Sequence, residues 1–313
     1  MNTRFLPEGR FLYTAENQKV CTSRRSLLRA MNDEQILEGR ALLCGTEHNL
    51  IVQVGPFTGI IPREEAALGI AEGTTRDIAI LSRVGKPVCF TISAVEGSER
   101  STTLLLSRRR AQQLALEHML SRWQPGDIIL ATVTHMESFG AFVDIGCGIP
   151  SMIGIENLSV SRIPHPDCRF TSGQNILALV TGIDHSLSRV TLSHKELLGT
   201  WMENAASLEA GMTVPGYVRS IKEYGMFVEL FPNLSGLAEP KEGLREGDRV
   251  SVYIKSIFRD RHKIKLRILE RLPPEETPPP FSYFPVSSPL YDWDYHGKSE
   301  PGSNTLPGSS SYS

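Results

Sequence analysis

The sequence is poor in the features that usually betray a function. Its five cysteines, Cys21, Cys44, Cys89, Cys147 and Cys168, are scattered over 313 residues with no short paired spacing. That scatter argues against a disulfide framework and a zinc site, and predicts reduced thiols. No run of about eighteen apolar residues occurs, so no membrane-spanning helix is expected. Charged residues follow Met1 within ten positions, which predicts a cytoplasmic chain without an export signal. Neither sign of charge dominates, since 33 Lys and Arg face 35 Asp and Glu for a formal net charge of −2. Any polyanion-binding surface must therefore be local and must draw part of its affinity from something other than bulk charge. A phosphate-cradling glycine loop, a nucleophile elbow and a metal-binding helix motif are all missing. The chain is thus expected not to be an enzyme and to need no cofactor or metal. His165-Pro166-Asp167-Cys168 and His185 offer ligand-type side chains, but no second pair at ligand spacing follows.

What the sequence does contain is repetition. Pro125-Gly126-Asp127 and Ser138-Phe139-Gly140-Ala141-Phe142-Val143-Asp144 return as Ala210-Gly211-Met212 and Glu223-Tyr224-Gly225-Met226-Phe227-Val228-Glu229. Position 126 answers to 211 and 139 to 224, a constant displacement of 85. Each copy continues into an alternating segment, 175–183 or 249–257, and a closing one, 189–193 or 263–267. Short period-two segments rich in Val, Ile and Phe, punctuated by Gly, Pro, Asn and Asp, predict a small closed barrel of five strands. A fainter copy precedes them at 39–45, 49–54, 57–61, 86–95 and 102–107, with His48-Asn49-Leu50-Ile51 in place of the aromatic element.

Helical spacing of Ala111, Leu114, Ala115, His118 and Met119, and of Leu198, Met202, Ala205 and Ala206, predicts helical connectors. Residues 23–37 predict one more helix. Past Arg271 prolines crowd together and the chain ends in a Gly/Ser-rich run, which predicts disorder, although Tyr283, Tyr291, Trp293 and Tyr295 suggest a short docking segment. The expected fold is all-β: an N-terminal extension with a helix (1–37), a degenerate barrel (38–107), a helical linker (108–123), a barrel (124–194), a helical linker (195–208), a barrel (209–270) and a Pro-rich disordered tail (271–313).

One pattern points to function by itself. Arg259, Arg261, Lys263, Lys265 and Arg267 alternate with Ile264, Leu266 and Ile268, so period two puts the cations on one face and the aliphatics in the barrel, with Lys255 close by on the preceding strand. Phosphates suit such a stripe. Bases of single-stranded RNA stack on aromatic faces, and Phe139, Phe142, Tyr224 and Phe227 could supply them. In a regular strand Phe139 and Phe142 would point to opposite sides, so a bulge at Gly140 is expected to bring both rings to one surface.

Residues 126–193 resemble the S1 RNA-binding domain, a member of the oligonucleotide-binding (OB) barrel fold. The likeness is carried by Gly126, the run from Phe139 to Asp144, Met152-Ile153-Gly154-Ile155, Gly173-Gln174, Ile183-Asp184 and Arg189-Val190-Thr191-Leu192-Ser193. Residues 211–268 resemble it nearly as well and 39–107 resemble a degenerate copy. The whole is similar to the short ribosomal-protein-S1-like proteins of Gram-positive bacteria. The resemblance implies that the matching aromatics face RNA and that Arg189 holds the family's basic position on the closing strand of the second barrel. It also exposes departures, because Gly154 and Glu239 stand where the family usually has a histidine. The second barrel, with Asp127, Glu137, Asp144 and Asp184 near its face in sequence, should rely on stacking. The first, lacking an aromatic platform, should dock on a protein or pack on its neighbour.

The expected function is single-stranded RNA binding in translation, by a monomer that holds mRNA and, as the resemblance implies, meets the small ribosomal subunit in a ribonucleoprotein, away from membranes. Two alternatives remain: a protein-interaction scaffold, and an accessory RNA-binding chain of an RNA-degradation complex.

Overall fold

The structure, a computed structural model, describes residues 5–98, 101–275, 281–285 and 294–295. It divides into two units, Met1–Leu158 with Ile163–His194, and Ser159–Arg162 with Lys195–Ser313. Among the described residues no helix is long and apolar enough to cross a membrane.

In the first unit two helices, α1 (Ala15–Val20) and α2 (Arg24–Asn32), open on hydroxyl caps: Thr14 accepts from the Asn17 N–H and Ser23 from that of Ser26. The helix expected over 23–37 stops at Asn32, because Glu34 takes a positive φ of 45° and turns the chain into β1 (Leu37–Cys44). With β2 (Leu50–Val54), β3 (Phe57–Ile61), β4 (Pro87–Ser98) and β5 (Ser101–Ser107), flanked by the one-turn α3 (Ile78–Leu81), this strand closes a barrel in the order β1-β2-β3-β5-β4. Alternate side chains, among them Leu50, Val52, Phe90, Leu104 and Leu106, fill it.

The helix α4 (Arg108–Arg122) begins where β5 ends, capped by Ser107, and buries Ala111, Ala115 and Met119. The strands β6 (Ile128–Glu137), β7 (Gly140–Asp144), β8 (Pro150–Gly154), β9 (Asn175–Asp184) and β10 (Arg189–Ser193) form a five-stranded sheet ordered β10-β9-β6-β7-β8. Its two edges, β8 and β10, lie side by side without a ladder, and the Ser151 hydroxyl donates to the Val190 carbonyl at 2.7 Å. The second barrel is therefore all but closed.

A buried carboxylate ties this unit together. Glu8 accepts from Arg108 Nε and Nη2 at 2.6 and 3.0 Å, from Arg83 at 3.1 Å and from the Cys89 N–H at 3.1 Å. Its own N–H donates to Asp144 at 2.7 Å, and the other Asp144 oxygen accepts the Gly146 and Gly148 N–H groups. One segment thus joins β4, α4 and β7. Burial pushes the Glu8 carboxyl up, but the two arginines outweigh it and hold it below its usual range. Burial and then the charge of Glu8 push Asp144 up to about 7. Glu8→Ala would strand the buried Arg108 charge, and should cost about 3–5 kcal/mol in chemical denaturation, part of which Glu8→Ala with Arg108→Met recovers.

His194, at the end of this unit, is fully buried, with Nδ1 3.1 Å from the Leu158 carbonyl and its ring edge-on to Phe170. Burial drops its pKa to about 4. The folded state therefore refuses a proton that the unfolded chain accepts near 6.5, so this contribution to stability is complete above that pH and is lost on acidification toward 4. Between pH 7.5 and 4.5 the denaturant midpoint of the unaltered chain should fall relative to that of His194→Gln, a comparison in which the opposite contribution of the raised Asp144 carboxyl cancels.

In the second unit the helix expected over 195–208 is broken. A 3-10 turn, Lys195–Leu198, ends at Gly199 with φ +80°, and α5 (Trp201–Ala205) restarts on a reciprocal cap between Thr200 and Glu203. A Cβ on Gly199 would sit 2.7 Å from the Phe284 ring. The tail reaches this linker twice more: the Phe284 N–H donates to the Leu197 carbonyl and the Trp201 N–H to that of Tyr295, both at 2.8 Å. The Tyr295 hydroxyl donates to the Asn233 carbonyl at 2.6 Å. Of the tail expected to be disordered, 276–280, 286–293 (with Tyr291 and Trp293) and 296–313 lie outside the described residues. The third barrel comprises β11 (Thr213–Lys222), β12 (Gly225–Phe231), β13 (Leu234–Ala238), β14 (Arg249–Phe258) and β15 (Lys263–Arg271), and closes in the order β11-β12-β13-β15-β14.

Candidate nucleic-acid interface

In the third barrel the strand register builds a continuous outer row. Phe227 on β12 lies opposite Ser220 on β11 and Leu237 on β13, Leu237 lies beside Lys265 on β15, and Lys265 faces Ser256 on β14. Neighbouring strands are about 4.8 Å apart, so the Phe227 ring and the Lys265 ammonium spring from positions about 10 Å apart on one surface. Tyr224, 69% exposed at the turn before β12, sets its ring edge-on to the half-buried Phe227 with centroids 6.3 Å apart.

Lys263, Lys265 and Arg267 are exposed along β15, while Ile264, Leu266 and Ile268 point into the core. Arg259 and Arg261 do not continue the stripe. They lie in a 3-10 turn that ends at His262 with φ 50°, where period two has no meaning. Arg259 donates to the Ala205 and Leu208 carbonyls at 3.2 and 3.3 Å and so closes the end of α5, while Arg261 lies 3.5 Å from Asp260. Lys255 pairs with Glu239 at 3.0 Å, and that hydrogen bond with the lysine's charge holds the Glu239 carboxyl below its usual range. Two aromatics that sequence reasoning passed over flank the cations. Phe258 lies under Lys265, whose Nζ is 5.6 Å from the ring centre, and Tyr253 pairs across the ladder with Arg267. Both are exposed outer-face positions of β14; counting outward positions on the neighbouring strand would have found them.

The second barrel repeats the row with other chemistry. Phe142 lies opposite His135 on β6 and Met152 on β8. Phe139, 54% exposed, meets Phe142 edge-on at 6.0 Å. The two rings share a surface as expected, but not through a bulge at Gly140. Phe139 precedes the strand, which starts at Gly140, and the register shift lies across from it on β6, between Val133 and His135. Gly140 serves packing, since a Cβ there would be 2.5 Å from the Ile153 carbonyl oxygen. Arg189 is exposed on β10 opposite Asp184, whose carboxylate accepts from Ser186 and Leu187 and organises the turn. Asp144 is not on this face, being buried in the Glu8 network. Glu229, its counterpart in the third barrel, is buried too, and is bound by Arg219 through two hydrogen bonds of 3.0 and 3.1 Å.

In the first barrel the corresponding row is aliphatic, running Leu43, Ile51, Ile60 and Leu105 from β1 to β5. His165 caps its own short turn through the Asp167 N–H at 3.2 Å, and among the described residues no group of three His, Cys, Asp or Glu could hold a metal.

Residues 122–195 match the family model described as S1 RNA binding domain. A small ribosomal subunit protein bS1 from Leuconostoc lactis is 29% identical over 245 residues, which cover 72% of this chain and 55% of that protein. The bS1 of Staphylococcus aureus strain N315 is 25% identical over 284 residues, 86% of this chain and 70% of that one. A multidomain protein with nucleic acid binding domains from Streptococcus pneumoniae aligns with 76% of this chain and 74% of its own, at 15% identity and a TM-score of 0.26. The chain thus spans about half to 70% of the length of these two curated relatives. The chain thus carries a match to the S1 RNA binding domain at residues 122–195 and is similar over most of its length to bS1 proteins of Gram-positive bacteria.

Proposed function

We propose that the chain is a non-enzymatic, single-stranded RNA-binding protein of translation that holds mRNA on or near the small ribosomal subunit. The observation that carries this reading is the outer row of the third barrel, in which Phe227, Leu237 and Lys265 join an aromatic platform to a cation stripe on one face. Bases stack on Tyr224 and Phe227, while phosphates follow Lys263, Lys265 and Arg267, with Phe258 and Tyr253 on the far side of the stripe. The second barrel contributes Phe139, Phe142 and Arg189 with little added charge, so the two barrels together gain affinity by linkage. Lys255 contributes less, since Glu239 already occupies it. The S1 match and the similarity to bS1 proteins support both the RNA and the ribosome. In this reading the protein is a cytoplasmic monomer, and residues 38–107, 124–194 and 209–270 are its three functional domains.

A second reading, protein docking, is favoured for the first barrel alone by its aliphatic row. Leu43 and Leu105 are exposed where the other barrels have His135 or Ser220 and Thr191 or Lys265.

Binding to a labelled unstructured RNA should weaken steeply with salt. Tyr224→Ala should cost roughly 1–3 kcal/mol with little change in salt slope, because a lost stacking surface releases no counterions. The double variant Lys263→Ala, Lys265→Ala should weaken binding to all sequences and shallow the slope by about 0.7 per phosphate contact. A double variant that melts like the parent and keeps its affinity and slope would overturn the assignment.

A further inference from the structure

We propose that His135 is the principal base-stacking surface of the second barrel. This rests on the RNA reading and adds a residue that neither the repeat nor the aromatic motif singles out. The β-bulge between Val133 and His135 sets the imidazole opposite Phe142 on the outer surface. The two rings are nearly parallel, 7° apart, with centroids 4.3 Å from one another. One face of Phe142 is therefore already occupied by a ring, and Phe139 stands edge-on against the same phenyl at 84°. Phe142 is left half-buried, as the middle of a three-ring pile. The surfaces that pile offers to solvent are the far face of His135 and the ring of Phe139, both exposed.

The imidazole is held in place as well as stacked, because Nδ1 lies 3.3 Å from the Thr134 hydroxyl, which in turn donates to the Phe142 carbonyl at 3.1 Å. A base arriving on His135 extends an existing stack and displaces nothing. The chemistry of the neighbours makes this surface matter. At the closing-strand position where the third barrel has Lys265 the second has Thr191, whose hydroxyl is engaged with Thr181 and the Gly182 carbonyl. Binding there must come from ring area. In the third barrel the position of His135 is taken by Ser220, which leaves Phe227 with Tyr224 as its ring neighbour and a face open to a base. The two barrels thus present bases with different outer layers, imidazole in one and phenyl in the other.

The test uses the full chain and a fluorescein-labelled oligouridylate of about 12 nucleotides, within the site size of such barrels. His135→Ala should weaken binding about 5- to 150-fold with an unchanged salt slope, the loss expected for one stacked base. His135→Tyr, which keeps a ring, should restore most of it. The imidazole C–H proton signals of His135 should move upfield when the oligonucleotide is added. If the unaltered chain binds no RNA at low salt, the RNA reading fails and this inference with it. If the unaltered chain binds but His135→Ala binds equally or more tightly, a base reaches Phe142 by displacing the imidazole, and the inference alone is overturned.

Discussion

A five-stranded barrel closes only if its strands coil strongly, and in this protein the coiling is concentrated in bulges at equivalent places. The first strand of every barrel shifts register directly opposite the aromatic or aliphatic platform: at Ala41 to Leu43, Val133 to His135 and Val218 to Ser220. A second shift on the fourth strand recurs at Ile92 to Ala94 and Ile254 to Ser256. The extra residue turns the next side chain outward against the centre of the platform strand. Closure and site are therefore one device. What differs between barrels is the residue delivered there, leucine, histidine or serine, and with it what the surface can hold.

The same economy governs the buried carboxylates. Asp144 and Glu229 occupy matching positions on their platform strands, and each is removed from water, yet their partners have diverged. In the third barrel Arg219 satisfies Glu229 within the sheet. In the second the backbone of Glu8, Gly146 and Gly148 satisfies Asp144, and Glu8 carries the connection on to Arg108 and Arg83. A position that needs only internal neutralisation in one copy has become a tie between elements in another.

Much of this was legible in the sequence, because strand alternation and an 85-residue repeat are local and periodic. The five strands of each copy, α4, the exposure of Phe139 and Tyr224, and the alternation of Lys263, Lys265 and Arg267 all follow from period. Period also misled. It ran on through Arg259 and Arg261, where a turn with a left-handed His262 ends the strand, and through Gly199, where a glycine and a fresh cap split a helix. His135 was invisible because a bulge leaves no composition signal; its partner Phe142 was named and its stacking was not. Glu8 could not be found from spacing at all, since its partners Arg83, Arg108 and Asp144 lie far along the chain and only the fold brings them together.

The bond from Trp201 to Tyr295 has a consequence for the order in which the protein is made. The last strand of the third barrel ends at Arg271, yet the linker that leads into that barrel is completed by Phe284 and Tyr295. Domains emerge from the ribosome amino end first. A nascent chain could thus present strands β1 to β15 while the Trp201 N–H and the turn at Gly199 still awaited Tyr295 and Phe284, so the linker of the second unit is completed only after the barrel that it leads into.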